Sequence, residues 1–226
     1  MNQQIEADAV VFDAYGTLFD VASTARRHAA KLGAHWASFA DTWRRKQLEY
    51  TWIRTLMGNH LDFWHVTGDS LDYAMAVHGV TDLGLRAALM EQTLALDAFP
   101  DVKPALVRLR QALKKTVTLS NGTPSMLIAA ISSAGLASLM EPPLSVESVG
   151  VFKPHPRVYQ LAVDRLGLMP ARICFVSANG WDAWAGASFG FKAIWINRAK
   201  APLERLPGTL AAIVSSIGEI PDLLGA

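Results

Sequence analysis

Short apolar runs alternate along the chain with segments whose apolar residues recur every three or four positions. The runs AVVFDA, TVTLSN, RICFVSA and KAIWIN read as strands, and VKPALVRLRQALKK and HPRVYQLAVDRLG as amphipathic helices between them. Uninterrupted apolar strands separated by helices predict a Rossmann-like, doubly wound α/β fold, a parallel sheet covered on both faces. Chemistry in such sheets gathers at the carboxyl ends of the strands. Asp13, Ser120 and Ser177 all stand at or just past those ends.

Between Phe19 and about Phe99 the strand pattern lapses and helical periodicity takes over, in HWASFADTWRRKQLEYTWIRTLM and SLDYAMAVHGV. This predicts a discontinuous core, residues 1–19 and 99–226, carrying an inserted helical cap subdomain, residues 20–98. Pro100 and Pro104 mark the turn and helix start where the chain rejoins the core. In the first long helix, Phe39, Trp43, Lys46, Tyr50, Ile53 and Met57 define one packing face, and Arg44, Leu48 and Trp52 a second. The second face is expected to look down on the strand edge, bringing Arg44 with it. By charge alone, WRRKQLEY reads instead as a solvated basic face with an Arg45–Glu49 pair.

Composition narrows the partners. The 226 residues are 51% hydrophobic, enough for a sizeable core, and 21 basic against 20 acidic residues give a net charge of +1. That balance offers no field to attract nucleic acid or a membrane surface, and no apolar stretch is long enough to span a bilayer. The start MNQQIEADAVVF lacks the pattern of a secretory signal, and the single Cys174 lies in the apolar run ICFV. A cytoplasmic protein acting on a small molecule is expected, and the aromatic-rich helix faces suggest a homodimer.

The candidate chemistry begins at Asp13, followed by Ala14-Tyr15-Gly16-Thr17, where the glycine lets the chain turn and expose backbone N–H groups. Taken alone, an Asp there is more often a turn former than a nucleophile. Support comes from Ser120-Asn121-Gly122, from Lys153 in GVFKPHPRVY, and from Ser177, Asn179, Trp181 and Asp182 in SANGWD. On its own Lys153 reads as a surface residue and Trp181 as core packing. The six histidines show no metal-ligand spacing, and no Gly-rich phosphate loop is present, so neither metal nor nucleotide cofactor is expected.

DAYGTLFD, SNG, KPHPRVY and SANGWD in this order resemble the haloacid dehalogenase superfamily. With WRRKQLEYTWIRTLMG, DFWHVTGDSL and FPDV, the chain is similar over most of its length to the type II L-2-haloacid dehalogenases. The superfamily's phosphatases carry Asp-x-Asp in the first loop and an acidic pair that helps bind Mg²⁺ in the last. Here Tyr15 takes the place of the second Asp, and SANGWD stands where the acidic motif is expected. A halide leaving group needs no proton, and an uncharged carbon centre needs no divalent cation.

The resemblance implies that Asp13 attacks C2 of a short (S)-2-haloacid with inversion, and that water then hydrolyses the aspartyl ester to release a D-2-hydroxy acid. By the same resemblance, Lys153 keeps Asp13 ionised, while Ser120 and the N–H groups of Ala14 and Tyr15 receive the substrate carboxylate. Arg44, Asn121 and Trp181 cradle the halide. Thr17, Tyr159, Ser177, Asn179 and Asp182 complete the catalytic set, and Tyr15, Leu48 and Phe63 line an apolar pocket. Arg45 departs from the glutamine expected beside the halide-binding arginine. A phosphatase of the same fold, or a non-catalytic carboxylate-binding module, are the competing expectations.

Overall fold

The computed structural model describes residues 4–226. Its elements, in chain order, are β1 (Ala9–Phe12), α1 (Ser23–Arg27), α2 (Ala29–Leu32), α3 (Trp36–Leu56), α4 (Phe63–Val77), α5 (Leu83–Gln92), α6 (Val102–Gln111) and β2 (Lys115–Ser120). There follow α7 (Pro124–Ser133), β3 (Leu144–Ser145), α8 (Pro156–Leu166), β4 (Ile173–Ser177), α9 (Gly180–Phe189), β5 (Lys192–Ile196), β6 (Ala212–Val214) and α10 (Ile220–Leu223). The strands form one six-stranded sheet among the described residues, ordered β3-β2-β1-β4-β5-β6, with every neighbouring pair parallel.

That order explains why the apolar runs are continuous. β1 lies between β2 and β4 at the centre of the sheet, and Ala9, Val10, Val11 and Phe12 are all wholly buried. From β1 the chain builds outward to β2 and β3, then returns to the other side for β4, β5 and β6. The order therefore reverses beside β1 and β4, where connections leaving in opposite directions open a crevice at the carboxyl edge. Asp13 follows β1 at that edge, with its N–H bonded to the Val176 carbonyl of β4 at 2.9 Å.

Local chemistry sets the helix boundaries. Thr123 caps α7 by accepting from the Met126 N–H at 3.2 Å, with Pro124 opening the helix. His155 and Pro156 do the same for α8, which Gly167 closes in the left-handed conformation. Asp62 and Asp82 cap α4 and α5. The four strands expected from sequence are present, while β3, with two residues, and β6, with three, were too short to stand out.

Helices α1–α5 lie between β1 and α6, within the span expected to be helical. Phe39 and Trp43 of α3 pack with Leu71, Ala74 and Met75 of α4 and with Leu85, Leu89 and Met90 of α5. The first face of α3 is not buried along its whole length, however. Ile53 and Met57 are exposed, and the Lys46 ammonium sits over the Tyr73 ring, 4.5 Å from its centroid. The expected Arg45–Glu49 pair is also replaced: Glu49 bonds Lys46 at 2.8 Å, three residues away.

Candidate active site

Asp13 stands where the β1–β4 crevice opens, and its two carboxylate oxygens have different surroundings. Oδ1 accepts from Lys153 Nζ at 3.0 Å. Oδ2 accepts from Thr17 Oγ1 at 2.9 Å and Asn179 Nδ2 at 2.8 Å, with Ser177 Oγ at 3.5 Å. Gly16, at φ +89°, makes the turn that returns Thr17 to Asp13. The N–H groups of Ala14 and Tyr15 have no acceptor among the described residues.

Lys153 is 1% exposed and lies between two carboxylates, donating also to Asp182 Oδ2 at 2.9 Å. Tyr159 donates to the other Asp182 oxygen at 2.7 Å. Burial opposes the ammonium charge, but the charges of Asp13 and Asp182 outweigh it, so the Lys153 pKa is raised. Burial pushes the Asp182 carboxyl up, and Asp13 adds to the shift, because one cation cannot fully offset two carboxylates. The same desolvation holds the Tyr159 hydroxyl protonated, as a donor to Asp182.

A small pocket in front of Asp13 is lined by Tyr15, Arg44, Leu48, Phe63, Ser120, Asn121, Lys153, Asn179 and Trp181. Its free volume is about 10 Å³, the room of roughly one water. Asn121 Oδ1 accepts from the Lys153 N–H at 3.0 Å, which leaves its NH₂ group as the free donor. Ser120 Oγ accepts from the Gly122 N–H at 3.2 Å, leaving its hydroxyl proton free. Tyr15 packs on Phe63 with ring centroids 5.4 Å apart, forming the apolar wall.

Helix α3 supplies the opposite wall through its second face, as the spacing predicted. Arg44 and Leu48 line the pocket, and Trp52 meets Trp181 edge to face at 5.5 Å. Arg44 donates to the Tyr15 carbonyl at 3.2 Å and to Gln47 Oε1 at 2.7 Å. Ala14, Thr17, Tyr159, Ser177 and Asp182 do not line the pocket. Thr17 and Ser177 bond Asp13 and Asp182 bonds Lys153 from behind, Tyr159 bonds Asp182 in turn, and the Ala14 side chain belongs to the core.

The chain resembles characterised enzymes along nearly its whole length. Residues 7–190 match the family model for haloacid dehalogenase-like hydrolases. (S)-2-haloacid dehalogenase 1 of Pseudomonas sp. (strain CBS-3) is 40% identical over 217 residues, covering 96% of each chain. The chain belongs to the (S)-2-haloacid dehalogenases. Another relative, (S)-2-haloacid dehalogenase 4A of Burkholderia cepacia, is 41% identical over 217 residues, 96% of this chain and 94% of its own. L-2-haloacid dehalogenase from Xanthobacter autotrophicus, solved with chloropropionic acid covalently bound, superposes with a TM-score of 0.90 at 35% identity, covering 97% of this chain and 99% of that one. The protein is thus a hydrolase of a family named for acting on carbon–halide bonds.

Sequence reasoning missed several supports of this dehalogenase site. Gln47 holds Arg44 and itself donates to Thr67 Oγ1 at 2.7 Å; its spacing of three from Arg44 was a usable signal. Gly122 gives Tyr15 its place, because a Cβ there would stand 2.8 Å from Tyr15 Cε2. Glu147 accepts from the Phe63 N–H at 3.1 Å and pairs with His60 at 2.8 Å, fixing the start of α4 beside the pocket. Nothing in the loop SVESVG signalled that contact across 84 residues.

Proposed function

We propose that this chain is a metal-independent (S)-2-haloacid dehalogenase, converting short L-2-haloalkanoic acids to D-2-hydroxy acids and halide through an ester on Asp13. The observation that carries the reaction class is that Asp13 is the one carboxylate among the residues lining the pocket, facing the donors Arg44, Ser120, Asn121 and Trp181. A phosphatase needs a second acid there to protonate its leaving oxygen; a departing halide does not. The cation between Asp13 and Asp182 is the Lys153 ammonium, which supports turnover without a divalent ion. The resemblance to enzymes named for this reaction points the same way.

The two oxygens of Asp13 divide the work. Oδ1, with a single donor, attacks C2 from the side opposite the halide, while Ser120 and the Ala14 and Tyr15 N–H groups hold the substrate carboxylate. Arg44, Asn121 and Trp181 receive the halide as charge develops on it. Water then attacks Cγ, and the negative charge gathers on Oδ2, where the Thr17, Asn179 and Ser177 donors already converge. The Cγ–Oδ1 bond breaks, Oδ1 leaves as the product hydroxyl, and the water oxygen remains on Asp13. Asp182 and Tyr159 hold Lys153 in place through both steps. Tyr15, Leu48 and Phe63 set the apolar end of the pocket, and residues 20–98 act as its cap over the core of 1–19 and 99–226.

We further infer a cytoplasmic homodimer, with the exposed Ile53, Leu56 and Met57 of α3 and its C-cap, and Val77 of α4, as the surface a second copy covers. EDTA-treated protein offered each enantiomer of 2-chloropropionate should release chloride and D-lactate from the L-form alone. In a single turnover in ¹⁸O-water, label should enter Asp13 and little should enter the product. Metal-dependent cleavage of an aryl phosphate without chloride release would overturn the proposal.

A further inference from the structure

Arg198 follows β5 at the carboxyl edge of the sheet, and its guanidinium reaches back to the turn that follows the nucleophile. Nη1 donates to the Gly16 carbonyl at 3.3 Å and Nη2 to the Thr17 carbonyl at 3.1 Å. Neither carbonyl has another donor among the described residues. The preceding Tyr15 carbonyl accepts from Arg44 and Asn179, so three successive carbonyls are held by side chains from elsewhere in the chain.

Arg198 is itself fixed by its surroundings. Its Cζ lies 4.0 Å from the centroid of the Phe99 ring, and Nη2 stands 3.6 Å from Asp101 Oδ1. Asp101 is tied down in turn through Oδ2, which accepts from Ser216 Oγ at 2.6 Å and the Ile217 N–H at 2.9 Å. On the arginine's own loop, Asn197 bonds both the N–H and the carbonyl of Ala201 at 2.8 Å. The planar guanidinium suits a place where two carbonyls must be held at once. Phe99 and Asp101 belong to the FPDV stretch, where helices α1–α5 give way to α6, and the Phe99 N–H bonds the Leu18 carbonyl at 3.0 Å. One side chain thus joins the loop after β1 to the segment that leads into α6.

We infer that Arg198 is a positioning residue for ester hydrolysis: by holding the Gly16 and Thr17 carbonyls it keeps the Thr17 hydroxyl on Asp13 Oδ2. The inference rests on the proposed reaction. Thr17 Oγ1 accepts from the Ala178 N–H at 2.8 Å, which commits its own proton to Oδ2 at 2.9 Å. In hydrolysis the water oxygen bonds Cγ, negative charge gathers on Oδ2, and the Cγ–Oδ1 bond breaks. One water proton ends on Oδ1 as the product hydroxyl, and the other passes to solvent as Asp13 ionises again. The Thr17 bond strengthens while charge grows on Oδ2. Ester formation makes the opposite demand, because charge leaves the carboxylate for the halide. The attacking Oδ1 is held by Lys153, which Arg198 does not bond. A displaced Thr17 hydroxyl therefore slows the second step and spares the first.

Arg198→Met keeps an apolar stem against Phe99 but loses both carbonyl bonds. In a single turnover of the full chain with L-2-chloropropionate, chloride release follows the first step, the mass of acid-quenched protein the ester, and D-lactate the second. Deleting an oxyanion donor outright costs about 10²–10³ in rate. With Thr17 displaced rather than removed, hydrolysis in Arg198→Met should slow roughly tenfold while chloride release changes less than about twofold, so that the ester accumulates. Arg198→Lys, whose ammonium can bond one carbonyl and keep its pairing with Asp101, should recover part of the loss, and it carries the same comparison of steps if Arg198→Met does not fold. Equal slowing of both steps, or of neither, overturns the inference. Hydrogen exchange needs no turnover: amides of residues 14–19 should exchange severalfold faster in the variant, with those of α8 unchanged. Unchanged exchange at the turn also overturns the inference. A wild type that releases no halide from any 2-haloacid refutes the proposed reaction, whereas faster exchange at the turn of its Arg198 variant still supports Arg198 as the brace.

Discussion

Replacing Lys153 with Met leaves a side chain of similar length but removes the only cation among the described residues bonded to either Asp13 or Asp182. The two ion pairs, at 3.0 and 2.9 Å, join side chains that are 1%, 8% and 0% exposed, so water cannot take over the lost interactions. Removing one partner of a buried pair costs about 3–5 kcal/mol. At about 2–4 °C per kcal/mol for a chain of this size, Lys153→Met should melt roughly 6–20 °C below the wild type at pH 7. The loss should depend on pH with a definite sign. Without the ammonium, nothing offsets the burial that already pushes the Asp182 carboxyl above its unfolded value of 3.8. A group raised in this way stabilises the fold below its unfolded pKa, and that stability is lost as pH rises through the folded value. The gap in melting temperature between variant and wild type should therefore widen from pH 4.5 to pH 8. Calorimetry across that range measures it. A gap worth less than about 1 kcal/mol, or one equal at both ends, would refute the account of Lys153 as the cation compensating two carboxylates.

Glu147→Ala leaves the Phe63 N–H and His60 without their acceptor, and should lower the urea midpoint by an amount worth about 1–3 kcal/mol with an unchanged slope. Glu147→Gln, which keeps an acceptor for the Phe63 N–H, should recover part of that loss; an Ala variant as stable as the wild type would show that the contact does not hold α4. Light scattering should give twice the chain mass, and Leu56→Glu, which puts a charge on the proposed shared face, should shift the protein toward monomer. A wild-type monomer at all concentrations would sink the dimer.

The apolar runs and helical spacings made the α/β class and the four longer strands legible, because burial between two layers of helices imposes a pattern within a few neighbouring residues. The order of Asp13, Ser120, Lys153 and Ser177 along the chain was equally plain, and strand direction placed three of them at one edge. β3 and β6 escaped notice because two or three residues carry no periodicity. The second face of α3 was readable down to Arg44, Leu48 and Trp52, yet the first was only half covered. Which turns of a helix meet a partner depends on where the packed helices begin and end, and α4 and α5 reach Phe39 and Trp43 but leave Met57 exposed.

What the sequence determined by itself was the set of chemical groups and the architecture that carries them: a carboxylate after the first strand, an aromatic residue where a second acid would stand, a lysine before a helix, and an arginine on an inserted helix. Tertiary structure decided their partners. Lys153 reaches Asp13 across 140 residues and Asp182 across 29, and Asn179 turns its amide to Asp13 and the Tyr15 carbonyl, making no side-chain cap for α9. The physical reason is range. Burial patterns are written residue by residue, whereas a hydrogen bond or a pocket exists only where separate elements are brought together at a fixed orientation.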